Sequence, residues 1–108
     1  MNAMDKAKKA RLESSGWRVG DAATFLGLTP EEAAFVELKL ALATYLRDLR
    51  RSRGWTQAAV ADLLGSSQSR VAKMEASDST VSLDLLVRSL LSLGATREEL
   101  GRVIARAA

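Results

Sequence analysis

Gln57-Ala58-Ala59-Val60-Ala61-Asp62-Leu63-Leu64-Gly65-Ser66-Ser67-Gln68-Ser69-Arg70-Val71-Ala72-Lys73-Met74-Glu75 is the stretch whose reading decides the fold. Thr56 stands before it as an N-cap, Gly65 breaks it in the middle, and Ser67 caps its second half. The pattern predicts a short helix over 57–64, a turn beginning with glycine, and a second short helix from Gln68 to about Ala76, which is the outline of a helix-turn-helix. Val60 and Leu64 are expected to face the core from the first helix, and Val71 and Met74 from the second. Ala61 lies where the two helices cross most closely, and Gly65 supplies the left-handed backbone of the turn.

Working outward, Thr29-Pro30-Glu31-Glu32 is a helix start, with a capping threonine, a proline where no amide donor is needed and a glutamate three residues after the cap. Phe35, Leu38, Leu42, Tyr45 or Leu46, and Leu49 recur from there at helical spacing to about Arg53, before Gly54. Val36, Leu40 and Ala43 form a second apolar stripe off that face, wider than one packing partner needs. On the other side, Asp78-Ser79-Thr80 reads as a polar loop. Ser82 caps a helix from Leu83 to Leu93 that Gly94 stops, and Thr96 with Glu99 forms a capping box for a last helix. Leu100, Val103 and Ile104 on that helix fit either the chain's own core or a dimer seam, and the surplus of Leu85, Leu86, Leu90, Leu91 and Leu93 favours a seam.

The expected fold class is therefore all-α: five helices in a helix-turn-helix domain over residues 29–108, preceded by an extended N-terminal arm over 1–28; the likeness to a phage repressor comes from the motif resemblance given below. A single proline and recurrent Ala, Leu, Arg and Glu agree with this. Nothing before Phe25, Leu26 and Leu28 supplies a buried face, so the arm is expected to lack a core of its own.

Across its 108 residues the chain holds 47% hydrophobic and 27% charged residues, the balance of a domain that folds in water. With neither cysteine nor histidine, thiolate metal sites, disulfides, cysteine nucleophiles and imidazole bases are all removed. No phosphate-cradling glycine loop or calcium loop occurs, no serine has a base nearby in sequence, and no enzyme activity or cofactor is expected. Lys6, Lys8, Lys9 and Arg11 have no apolar block behind them, which argues against a secretory signal or membrane anchor and for a cytoplasmic protein. They fit a solvated tail, with nonspecific DNA contact as the alternative.

The net charge is only +3, but its placement is informative. Six basic side chains face three acidic ones between residues 47 and 75, whereas residues 76–108 carry four of each. The second motif helix presents Gln68, Ser69, Arg70 and Lys73, a set suited to base edges in a major groove: Gln to adenine, Arg to guanine, Ser and Lys to either a base or a phosphate. The helix N-termini at Thr56-Gln57 and Ser67-Gln68 suit phosphate oxygens. Arg51 and Arg53, in the cluster with Arg47 and Arg50, are further phosphate candidates, although basic residues also favour a helix C-terminus by themselves. An ordinary helical hairpin is the plain alternative for the two short helices. Trp55 is expected to pack beneath the motif.

The run Arg47-x-x-Arg50-x-x-Arg53-Gly54-Trp55-Thr56-Gln57-x-x-Val60-Ala61-x-x-Leu64-Gly65-x-Ser67-Gln68-Ser69-x-Val71-x-x-Met74-Glu75 resembles the Xre/Cro family of phage-type repressors over about residues 35–94. The resemblance implies that Gln57 lies near the DNA backbone and that Gln68, Ser69 and Lys73 read bases. It further implies that Glu75 is a structural acid paired with an arginine of the first helix, here Arg50. The family often follows that acid with Asn-Gly, whereas this chain has Ala76-Ser77, which bears on the shape of the next loop.

Gly16-Trp17-x-Val19-Gly20, followed by Phe25-Leu26-Gly27-Leu28-Thr29-Pro30-Glu31-Glu32 and Val36-Glu37-Leu38-Lys39, is similar to Xre-type antitoxins of the HigA-like kind. That resemblance implies a homodimeric repressor of its own operon on double-stranded palindromic DNA, and an antitoxin that neutralises a RelE-type toxin through contacts from Trp17, Phe25 and Val36; a stand-alone phage-like repressor without a toxin partner is the alternative. Trp17 is equally readable as a staple holding the arm to its own domain.

Overall fold

The computed structural model describes residues 26–107. Five helices follow one another, with no strand among the described residues: α1 (Pro30–Ser52), α2 (Gln57–Leu64), α3 (Gln68–Glu75), α4 (Leu83–Ser92) and α5 (Arg97–Arg106). The expectations about Trp17, Phe25 and the basic start fall outside the described residues.

Every helix begins where its capping residue places it. The Thr29 hydroxyl accepts from the Glu32 amide at 3.1 Å, and the Glu32 carboxylate accepts from the Thr29 amide at 2.8 Å. Thr96 and Glu99 repeat this reciprocal box at α5, and Thr56, Ser67 and Ser82 each accept from the amide three residues on. These bonds satisfy amides that a helix start leaves without partners.

Residues 39–107 form one compact unit whose boundary falls inside α1. Its core joins Leu42, Ala43 and Leu46 of α1 to Val60 and Ala61, to Val71 and Met74, to Leu86 and Leu90, and to Leu100 and Val103. Leu64, Tyr45, Leu49 and Trp55 pack against this cluster without being fully enclosed.

Two sequence expectations are corrected. Phe35, placed on the core stripe, is 48% exposed, whereas Ala43, placed off it, is fully buried. Within residues 39–107, Leu42 and Leu46, one helical turn apart, define the packed face of α1, and the small Ala43 beside them fits beneath it. The second correction concerns the apolar residues of the last two helices, left open between the chain's own core and a dimer seam with a seam favoured. Leu86, Leu90, Leu93, Leu100 and Val103 lie in the chain's own core, because the inner faces of α4 and α5 join the cluster that encloses Val71 and Met74. Leu91 and Ile104 alone of the set are largely exposed, and Leu85 is partly buried.

Candidate nucleic-acid interface

α2 and α3 pack directly on one another across a turn set by Gly65, whose φ of +64° is the left-handed conformation. The Ser66 amide reaches back to Ala61 O at 2.8 Å and the Gly65 amide to Asp62 O at 3.2 Å, so the last carbonyls of α2 are satisfied as the chain reverses. Ser67 then stops the turn by accepting from the Arg70 amide at 3.2 Å.

The next eight residues are helical and sorted by side. Val71 and Met74 are buried, while Gln68, Ser69, Arg70 and Lys73 are all exposed. At 3.6 residues per turn, Ser69 and Lys73 share the centre of the outer face, with Gln68 and Arg70 on its two flanks. Beside this face lies a cleft lined by Ser67, Ser69, Arg70, Lys73, Thr80 and Val81. Thr80 was not singled out from the sequence as a member of this surface. The available signal was the Asp-x-Thr spacing, because the Asp78 carboxylate accepts from both the Thr80 amide at 2.9 Å and its hydroxyl at 2.7 Å, folding the loop back toward α3. These bonds hold the Asp78 carboxyl below its ordinary pKa, the side-chain bond contributing most.

The far end of α3 is tied down. Glu75 Oε2 accepts from Arg50 Nε at 2.5 Å and Glu75 Oε1 from Arg50 Nη2 at 3.1 Å, a two-pronged ion pair with side chains only 13% and 6% exposed. The remaining terminal nitrogen of Arg50 donates to Trp55 O at 3.0 Å. The bond from the guanidinium to Glu75 raises the Arg50 pKa above its ordinary value, so the guanidinium keeps its charge. Lys39 adds a second tie, donating to Asp78 O at 2.9 Å. No signal in the sequence links Lys39 to Asp78, since thirty-nine positions separate them. The chain leaves α3 through Ser77, whose φ of +54° is left-handed without being glycine.

The remaining candidates fall into place around this helix. Thr56 and Ser67 use their oxygens as caps, which leaves each hydroxyl proton free to donate outward. Gln57 gives one amide N–H to Glu75 Oε1 at 3.2 Å and keeps a second, and this bond fixes its direction. Arg51 and Arg53 are exposed, with the Arg53 guanidinium 5.4 Å from the centre of the Trp55 ring. Val36 is exposed on α1, at a distance in sequence from the motif. Among the described residues, no group of three or more acidic side chains is placed to hold a metal ion. No helix among them is long and apolar enough to cross a membrane.

Comparison with known proteins agrees with this geometry. No curated protein and no solved structure gave a match. The sequence model of the helix-turn-helix domain family matches residues 41–103, more than half of the chain and the whole of the α2–α3 motif with the helices that support it. With a buried inner face, a polar outer face and a turn of the required shape already established, that match settles the assignment: the chain belongs to the family of DNA-binding helix-turn-helix domains.

Proposed function

We propose that the protein is a sequence-specific transcriptional repressor acting in the cytoplasm, with residues 29–108 as its DNA-binding domain. Gln68, Ser69, Arg70 and Lys73 enter the major groove, while Thr56, Gln57, Ser67, Arg51 and Arg53 grip the phosphates on either side. A homodimer places two copies of α3 in successive grooves about 34 Å apart on a palindromic operator. The observation that carries this reading is the exposure of all four outer side chains of α3 while every apolar contact of that helix is turned inward. The test is fluorescence anisotropy on the DNA upstream of the protein's own gene and on a scrambled duplex, over a range of salt. A steep salt dependence with tighter binding to the upstream DNA is expected, and Arg51→Ala or Arg53→Ala lowers the salt slope by about one on both duplexes alike. Equal affinity for both duplexes at all salt concentrations refutes sequence-specific reading.

A second reading is compatible with the first and rests on α1, where Phe35, Val36 and Leu40 are 48%, 38% and 39% exposed. Apolar side chains gathered on one helix support a protein partner, in this reading a RelE-type toxin contacted by Trp17, Phe25 and Val36 with residues 1–28 as an arm. Val36→Asp then abolishes complex formation with the purified product of the neighbouring gene and leaves DNA binding intact. A complex that survives Val36→Asp removes α1 from that contact.

A further inference from the structure

Between the motif turn and α4 lies a second cleft, of about 280 Å³, on the flank of α3 opposite Gln68. Its polar lining is Ser66, Arg70, Arg88, Ser89 and Ser92, and Met74 and Leu85 supply an apolar floor. Two arginines and three serines thus line it, and no acidic residue is among the lining residues.

The groups around this cleft are not consumed by the fold. Ser89 is only 6% exposed, yet its hydroxyl donates to nothing better than the sulfur of Met74 at 3.7 Å. A thioether is a weak acceptor, so a buried hydroxyl there has lost water without gaining a full partner. Arg88 is engaged by Asp84 at 3.1 Å, but both side chains are more than 70% exposed, and such a surface pair holds its arginine weakly. Arg70 lines this cleft and also the one beside Lys73 and Thr80, so its side chain is shared between the two. It sits one turn from Met74, the residue that meets the Ser89 hydroxyl.

We infer that this cleft is a binding site for a small organic oxyanion, a carboxylate or phosphate on a short apolar body. The anion takes Arg88 and Arg70 and receives hydrogen bonds from the serines, with its body on Met74 and Leu85. Because Arg70 cannot face the cleft and the groove together, occupancy opposes DNA binding, and the two ligands weaken each other by the same factor. This second part rests on the reading of α3 given above; the site itself does not.

The experiment uses the full chain. Backbone amide NMR spectra are recorded during titration with sodium benzoate and, as a neutral counterpart, benzyl alcohol. Saturable shifts at Ser66, Arg70, Arg88, Ser89 and Ser92 are expected with benzoate, with binding at least about five-fold weaker for the alcohol and for Arg88→Ala, since each removes a charge-assisted contact. No saturable shift, or equal response to the alcohol, overturns the site. Anisotropy at constant ionic strength then tests competition, with benzoate weakening DNA binding several-fold in the native chain and less in Arg88→Ala. If benzoate binds but DNA affinity does not change, the opposition is overturned and the site stands. If Arg88→Ala weakens DNA binding with no benzoate present, the cleft takes a backbone phosphate and the small-molecule assignment falls. If the chain binds no DNA, it is the regulatory reading that fails, and the NMR titration still decides the site.

Discussion

The two ends of α3 make the same kind of turn and do opposite things. Before the helix, Gly65 and Ser66 close α2 with a pair of reaching-back bonds; after it, the Ser77 amide bonds to Met74 O at 3.2 Å and the Asp78 amide to Lys73 O at 3.0 Å, the same pairing. At the first turn the left-handed residue is glycine, and at the second it is serine. The entering end is free, with Gln68, Ser69 and Arg70 all exposed. The leaving end is moored to α1 through Arg50 to Glu75 and through Lys39 to Asp78 O. The proposed function, in which the first turn of α3 enters a groove, uses this asymmetry: the end proposed to read stands clear, and the other end holds its direction.

The largest expected effect breaks the mooring. Glu75→Ala leaves the Arg50 guanidinium nearly buried and without its carboxylate, and stability falls by about 3 kcal/mol in chemical denaturation. A loss within 0.5 kcal/mol, the ordinary range of surface substitutions, contradicts the ion pair's role. The free end responds differently. Gln68→Ala or Arg70→Ala leaves the thermal midpoint nearly unchanged and weakens binding to the specific site by about 1–3 kcal/mol, with little change on scrambled DNA. A large stability loss here removes the distinction between the two ends.

The turns themselves are tested by exchanging their residues. Gly65→Ala places a Cβ at left-handed φ and lowers stability by about 1–2 kcal/mol, although open space surrounds the new methyl group. Ser77→Gly removes the same strain and raises stability by about 0.5 kcal/mol, less than the strain itself because glycine also loosens the unfolded chain. Effects of the same sign at the two positions refute a common geometry.

The smallest effect is the pH dependence of the leaving turn. Thr80 holds the Asp78 carboxyl below its ordinary value, so the folded state favours the charged form. Its stabilisation is complete above the unfolded value near about pH 4 and is lost as pH falls through the lower folded value. Asp78→Asn narrows that part of the acid transition, and the native and variant thermal midpoints converge at the most acidic pH. A gap that widens as pH falls contradicts the sign.

The α2–α3 segment was the most legible part of the chain. Caps, glycine and apolar spacing there act through bonds no more than a few residues long, and helices α1 to α5 begin at the capping residues read from sequence. The Arg50–Glu75 pair was reached through family resemblance, since twenty-five positions separate its members. The burial of Ala43, the exposure of Phe35 and the enclosure of Leu86, Leu90 and Val103 were misjudged for one reason. An apolar stripe announces that a face will be covered without saying by what.

From the sequence alone came the number and starts of the helices, the turn at Gly65 and the polar set on α3, because backbone capping and helical period are local physics. Only the tertiary structure decided that Lys39 moors the far end of that helix, that Ser77 takes the left-handed position, and that Arg70 stands between two clefts. Those contacts join residues distant along the chain, and their energies depend on packing that no short stretch of sequence contains.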